Sequence, residues 1–254
     1  MTASKRGGRD PRTLRPVEME IGFHRLAEGS VLYRAGGTVV LCTVSVDERV
    51  PEFLVGRGQG WLTAEYQMHP RANPKRRENR DGRERPLSGR TREIQRLIGR
   101  ALRAAVDLER LGERTLSLDC DVLEADGGTR TAAVTGGFVA LAAAAATLAE
   151  RGLLKAPIVR DQVAAVSVGH VDGALALDLN YLEDSSARFD LNVVATAGGE
   201  LIEVQGTAEA EPLPRADVDH MVDLALEGIR TLCDLQRRAL EAARIPLDRV
   251  LRKR

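Results

Sequence analysis

The chain is short of the groups that most often announce a site. Its 254 residues include three cysteines and four histidines, and aromatic residues make up 3%. Cys42, Cys120 and Cys233 are odd in number, far apart and without a Cys-x-x-Cys. That excludes a disulfide framework and a zinc ribbon, and fits buried reduced thiols in a cytoplasmic protein. His24, His69, His170 and His220 have no ligand spacing, and no Ser–His or Cys–His pair is visible, which argues against nucleophilic catalysis. The Gly-Lys-Ser/Thr ending of a Walker loop is missing, and so is Gly-x-Gly-x-x-Gly. No apolar run carries signal-peptide flanks. The longest, Val134 to Leu148, is mostly alanine and too short to cross a bilayer, so no membrane partner is expected.

Net charge is zero, but it is unevenly placed. Between Arg71 and Arg103 stand twelve basic and four acidic residues, a local excess of +8 that the rest of the chain offsets. A field of that size attracts polyanions whatever the total. Arginine dominates over lysine there, and its fork suits phosphate oxygens, which points to RNA backbone contact. The stretch Pro70 to Gly89 is polar, rich in turn residues and without periodicity, longer than an ordinary connection and so a candidate functional loop. A solvated surface loop is the plainer alternative.

Hydrophobic residues reach 43%, enough for a sizeable core. The pattern predicts strands over Val17 to Phe23, Val31 to Tyr33, Thr38 to Val46, Leu62 to Met68 and Leu116 to Leu123. From Thr91 the apolar period changes to that of a helix, with Ser88 as its N-cap. A long helix over Thr131 to Arg151 ends at Gly152. The strand pattern then returns: Val163 to Val171 and Ala174 to Leu182 around Asp172-Gly173, then Phe189 to Ala197 and Leu201 to Thr207 around Gly198-Gly199. A last helix runs from Arg215 to Arg244. This is an α+β chain whose strand-then-helix order occurs twice, in approximate halves 16–155 and 156–244. Residues 1–15 read as a flexible basic N-terminus and 245–254 as a C-terminal tail, whose basic end, Leu251 to Arg254, is expected to be frayed and solvated.

Two places carry candidate chemistry. Gly127-Gly128-Thr129-Arg130 lies between a strand and a helix, where the free N–H groups of the helix start favour an anion. Thr129 would add a hydroxyl and Arg130 a bidentate charge. Arg90 also stands at a helix start, so the two could share one phosphate. A tight turn with a solvated arginine is the other reading. Asp184 and Asp190 fall at the ends of successive strands, where two carboxylates could hold one divalent cation, or serve as ordinary acidic turn residues. Asp119 and Asp121 share one strand face, either pairing with arginines or lining the site.

Several stretches together resemble one family, the RNase PH enzymes (phosphate-dependent tRNA nucleotidyltransferases). They are Gly58-Gln59-Gly60-Trp61-Leu62-Thr63-Ala64-Glu65-Tyr66, the run from Gly89 to Ile98, the run from Asp119 to Ala132, Tyr181-Leu182-Glu183-Asp184-Ser185, and Glu203 to Glu209. The resemblance implies two similar βα halves in one compact unit and a homo-hexameric ring, a trimer of dimers. It implies 3′→5′ phosphorolysis of RNA, typically the 3′ trailer of precursor tRNA, with inorganic phosphate as co-substrate and nucleoside diphosphate as product. Arg90, Gly128, Thr129 and Arg130 would hold the phosphate. Asp184 and Asp190 would be the essential carboxylates, with Mg²⁺. Arg71, Arg77 and Arg80 would grip tRNA, with Arg76 replacing Arg77 if the loop aligns one residue off. DNA is not an expected partner. Two rivals remain at this point: a ring subunit that binds RNA without catalysis, and a hydrolytic nuclease, which would need a denser carboxylate cluster.

Overall fold

The computed structural model describes residues 5–75, 77, 86–208, 212–245 and 247–252. Strands β1 (Val17–Ile21), β2 (Gly29–Ala35) and β3 (Thr38–Asp47) form an antiparallel meander. β4 (Trp61–Met68) then leads through helix α1 (Gly89–Ala105) and the short α2 (Leu108–Leu111) to β5 (Thr115–Glu124), which lies parallel to β4 and antiparallel to β3. The first sheet therefore has the order β1-β2-β3-β5-β4. Helix α3 (Thr129–Glu150) follows directly.

The second sheet comprises β6 (Val163–Val171), β7 (Ala174–Leu177), β8 (Phe189–Thr196) and β9 (Leu201–Ala208), in the order β7-β6-β8-β9 and antiparallel throughout. The four-residue helix α4 (Tyr181–Asp184) interrupts the path from β7 to β8. The long α5 (Arg215–Ala242) and the short α6 (Leu247–Val250) complete the chain.

The alanine run explains how the two sheets meet. α3 buries 17 of its 22 residues, with β2 and β3 against one part and β6 against another. By length and composition it could cross a membrane, yet the protein covers it on all sides. A helix apolar all round is a core helix, and small side chains let both sheets approach it. α1 is one-sided by contrast. Ile94, Leu97, Ile98, Ala101, Leu102 and Ala105 are buried, as their spacing predicts, and the Ser88 hydroxyl accepts from the Thr91 N–H at 3.1 Å.

Among the described residues, both terminal segments are more ordered than the sequence suggests. The N-terminal stretch, expected to be flexible, is tied down from Lys5 onward. Arg6 and Arg9 both donate to the buried Glu183 carboxylate, at 2.6 and 3.2 Å, and to the Leu177 carbonyl. At the other end α6 buries Leu247 and Val250, while Arg252 reaches Asp107 at 3.1 Å. Of the segment expected to fray, Leu251 to Arg254, the described residues 251 and 252 are thus tied to the fold. Nothing in the local pattern signals either result, because each depends on partners more than a hundred residues away.

A third difference concerns β7. It stops at Leu177, not Leu182, because Asp178 turns left-handed (φ 57°) and Asn180 with Glu183 forms a capping box that starts α4. Asp178 also takes part in a deeply buried ion pair. Arg15 donates to its carboxylate from Nη2 at 2.7 Å, from Nε at 3.0 Å and from its own backbone N–H at 2.8 Å. The remaining amino group of Arg15 donates to the Asp126 carbonyl at 2.6 Å. Burial works against the Arg15 charge, but the hydrogen bonds and attraction of Asp178 leave its pKa above the ordinary value. Removing one member strands the other, at a cost of about 3–5 kcal/mol. Asp178→Ala is therefore expected to lower the urea midpoint of unfolding by that equivalent, and Asp178→Asn, which keeps part of the hydrogen bonding, by less.

Asp119 and Asp121 stand away from the cavity described below, on the outer face of the first sheet, opposite Glu65 and Gln67 across the β4–β5 ladder. Burial first and repulsion from Asp121 next raise the Asp119 pKa, and burial with repulsion from Asp119 does the same to Glu65. Between the ordinary carboxylate range and those raised values the folded chain binds more protons than the unfolded one, so stability falls as pH rises through that window. Asp119→Asn should raise the melting temperature at pH 7, and the gain should vanish below the ordinary carboxylate range, where wild-type Asp119 is already neutral.

Candidate active site

The turn between β5 and α3 is fixed from three sides. Gly127 and Gly128 take left-handed φ values of 76° and 63°, which few other residues accept. A Cβ at Gly127 would lie 2.6–2.8 Å from the backbone of residues 179–181, so only glycine lets α4 come this close. From β3, the Thr38 hydroxyl donates to the Gly127 carbonyl at 2.7 Å and accepts from the Asp126 N–H at 3.0 Å. From beneath, Arg15 holds the Asp126 carbonyl. The Tyr181 N–H donates to the Asp126 side chain at 3.3 Å, joining the turn to the first residue of α4.

This arrangement brings the sequence-predicted residues to one place. Arg90, Gly128, Thr129, Arg130, Asp184 and Asp190 all line a single cavity of about 690 Å³. Arg90 comes from the first turn of α1 and Arg130 from the first turn of α3. Both charges act on the same buried phenol. Burial raises the Tyr66 pKa, and the hydrogen bond to Thr129 and then Arg90 and Arg130 pull it back. Asp184 closes α4, and Asp190 lies near the start of β8, where it accepts from Asn192 at 3.4 Å.

Two details differ from the simplest phosphate cradle. The Thr129 hydroxyl is buried and lies 2.8 Å from the Tyr66 hydroxyl, so its side chain braces the turn against β4. Arg130 is already held: one Nη donates to Gln205 at 2.7 Å and to Glu93 at 3.3 Å, and Gln205 donates to Glu93 at 2.9 Å. Glu93 and Gln205 lie within the motifs noted in the sequence, but nothing there says that they meet. Of the arginines expected to grip RNA, Arg71 is exposed beside the cavity mouth and Arg77 is exposed. Arg76 and Arg80 lie outside the described residues.

The donor set also bears on a metal. Asp184 and Asp190 offer hard carboxylate oxygens in one polar cavity, which suits a magnesium ion that keeps several of its waters. Among the described residues no group of three or more His, Cys, Asp or Glu could hold an ion. The three cysteines are buried and unpaired with one another as disulfides, and burial raises Cys233 to about 12, which fits packing and not reactivity.

Comparison with known proteins gives the arrangement a family. Residues 13–146 match the model for domain 1 of the 3′ exoribonuclease family, and residues 161–228 match that for its domain 2. A protein named Ribonuclease PH from Crocosphaera subtropica is 52% identical over 244 residues, covering 96% of this chain and 100% of the relative. One of the same name from Moorella thermoacetica is 54% identical, covering 92% and 93%. Among solved structures, rice (Oryza sativa) Rrp46 superposes with a TM-score of 0.73 at 19% identity, over 92% of this chain and 98% of that one. An Archaeoglobus fulgidus exosome with RNA bound to the active site gives 0.72 at 22% identity, over 89% and 90%. Those two show likeness of fold, and the match at more than half identity over nearly the full length shows kinship: the chain belongs to the 3′ exoribonuclease (RNase PH) family.

Proposed function

We propose that the protein shortens RNA from its 3′ end by phosphorolysis. The observation that carries this is the convergence of Arg90 and Arg130, from two separate helix starts, with Asp184 and Asp190 in one cavity. The relatives named Ribonuclease PH support the same reading. An oxygen of inorganic phosphate attacks the phosphorus of the terminal phosphodiester. The bond from that phosphorus to the preceding 3′ oxygen breaks, and the 3′ oxygen takes a proton. The products are a nucleoside diphosphate and an RNA one residue shorter, and the reverse reaction adds a nucleotide.

Phosphate is itself the nucleophile, so the protein has to orient it and steady the charge on the scissile group. Arg90 and Arg130 bind the phosphate oxygens, together with the free N–H groups at the start of α3. Glu93 and Gln205 aim the Arg130 guanidinium. Asp184 and Asp190 would hold a magnesium ion, which would supply positive charge beside the reacting phosphate. The basic stretch from Arg71 onward, including Arg77, draws in the RNA backbone. The substrate is the 3′ trailer of precursor tRNA, with other structured RNA ends as further substrates. The assembly is a homo-hexameric ring that covers exposed apolar residues such as Phe53, Val55 and Leu201. The compartment is the cytoplasm, in line with three free thiols.

A 3′-extended RNA incubated with and without phosphate tests the reading directly. Shortening should require phosphate and yield nucleoside diphosphates; equal shortening in both tubes, or monophosphate products, sinks it. Arg90→Ala and Arg130→Ala should each raise the KM for phosphate by about tenfold or more and lower turnover, the loss expected for one charged hydrogen-bond partner. Asp184→Asn should abolish turnover while RNA still binds. Arg77→Ala should weaken tRNA binding and reduce the slope of log affinity against log salt by about one, with short-oligomer turnover nearly unchanged.

A further inference from the structure

A second cavity adjoins the first and has no role so far. It measures about 500 Å³ and shares Asn73, Ala125 and Tyr181 with the reaction cavity. Arg71 and Lys75 supply cationic groups to its wall, and Glu124 and Asp126 supply anionic ones. Tyr181 stands between the two spaces. It is the first residue of α4 and 48% exposed, although it neighbours one of the best-buried acids in the fold, Glu183. Its backbone has a structural task, the hydrogen bond to Asp126, but its ring serves no packing need of that kind. The only ring partner recorded for it among the described residues is a cation, Lys75 Nζ, 5.9 Å from the centroid.

A half-exposed aromatic ring with one cation over its face and a second in the wall of the same cavity, opening onto a trough beside a phosphate site, suits a single-stranded nucleic acid. Any base can stack on the ring face, and the sugar-phosphate chain can follow the cations. The carboxylates of Glu124 and Asp126 disfavour a phosphate on their wall and so assign the backbone to the Arg71 and Lys75 wall. We infer that the Tyr181 ring is the stacking platform for a nucleotide upstream of the scissile bond, and that the second cavity carries the RNA strand toward the reaction cavity. The base takes the place of the Lys75 ammonium on the ring, and the ammonium moves to the adjoining phosphate. Tyr181 is then a positioning residue: it sets which linkage stops beside Arg90 and Arg130. The inference rests on the phosphorolytic reading above.

Steady-state phosphorolysis of a short unstructured RNA at saturating phosphate, by the full-length protein and its variants, tests it. Tyr181→Ala should raise the KM for RNA about tenfold, the loss of one base–aromatic stack. Its kcat should stay within about twofold and its KM for phosphate should not move, because the contact is made equally in the ground and transition states. Tyr181→Phe should restore the wild-type KM, since stacking needs the ring and not the hydroxyl. Emission from Tyr181→Trp should be quenched when the same RNA is added. An unchanged KM for RNA in Tyr181→Ala, or a Tyr181→Trp emission indifferent to RNA, overturns the inference. A wild type that shortens RNA without phosphate overturns the phosphorolytic reading instead, and the quenching measurement still decides whether Tyr181 stacks a base.

Discussion

The buried contact between Arg15 and Asp178 is the constraint from which the site follows. One guanidinium joins the N-terminal stretch, the end of β7 and the carbonyl of the Asp126 turn. Its partner carboxylate sits on a left-handed residue that ends a strand and sends the chain back toward α3. Without that reversal α4 would not lie over Gly127, and Asp184 would not face the same space as Arg130. A buried ion pair is weak evidence of net stability, because desolvation offsets much of the attraction. Its value here is geometric: it fixes where two segments 52 positions apart in the chain, at residues 126 and 178, stand relative to each other.

A second tier of contacts sets the charges. Glu93 on helix α1 and Gln205 on strand β9 both hold the Arg130 guanidinium, so its direction is determined by both halves of the protein. Tyr66 under Thr129 does the same for the helix start. The reactive-looking groups are thus at the surface of the cavity, and the groups that orient them come from α1, β4, β9 and the N-terminal stretch. Arginine forks need this kind of support, since a long side chain otherwise loses its direction to rotamer freedom.

Local chemistry was legible in the sequence where a short pattern has one physical solution. The 3.6-residue spacing of Ile94, Leu97, Ile98 and Ala101, the Ser88 cap, the Asp172-Gly173 hairpin and the glycine turn before α3 all read correctly. The RNase PH resemblance, resting on several motifs jointly, also led to the right family. What failed was one local signal and the long-range contacts. The alternation from Ala174 to Leu182 looked like one strand, although Asn180-x-x-Glu183 spells a capping box that could have divided it. The basic start of the chain looked like a solvated tail because its acceptors, Glu183 and Asp178, are more than 160 positions away. Glu93 and Gln205 gave no sign of pairing, since nothing in either motif names the other.

Helix α3 has a consequence for how the protein comes apart. The two family matches divide the chain near residues 146 and 161, as though it held two modules. Yet α3, which ends the first, is a wall of the core for β2, β3 and β6 alike. If the second sheet left, the core that α3 forms with the first would lose Val163, Ala165 and Val194, and the second sheet, which also packs on α5, would lose one of its two covers. The two halves are therefore expected to melt as one cooperative body, since they share α3 as a wall.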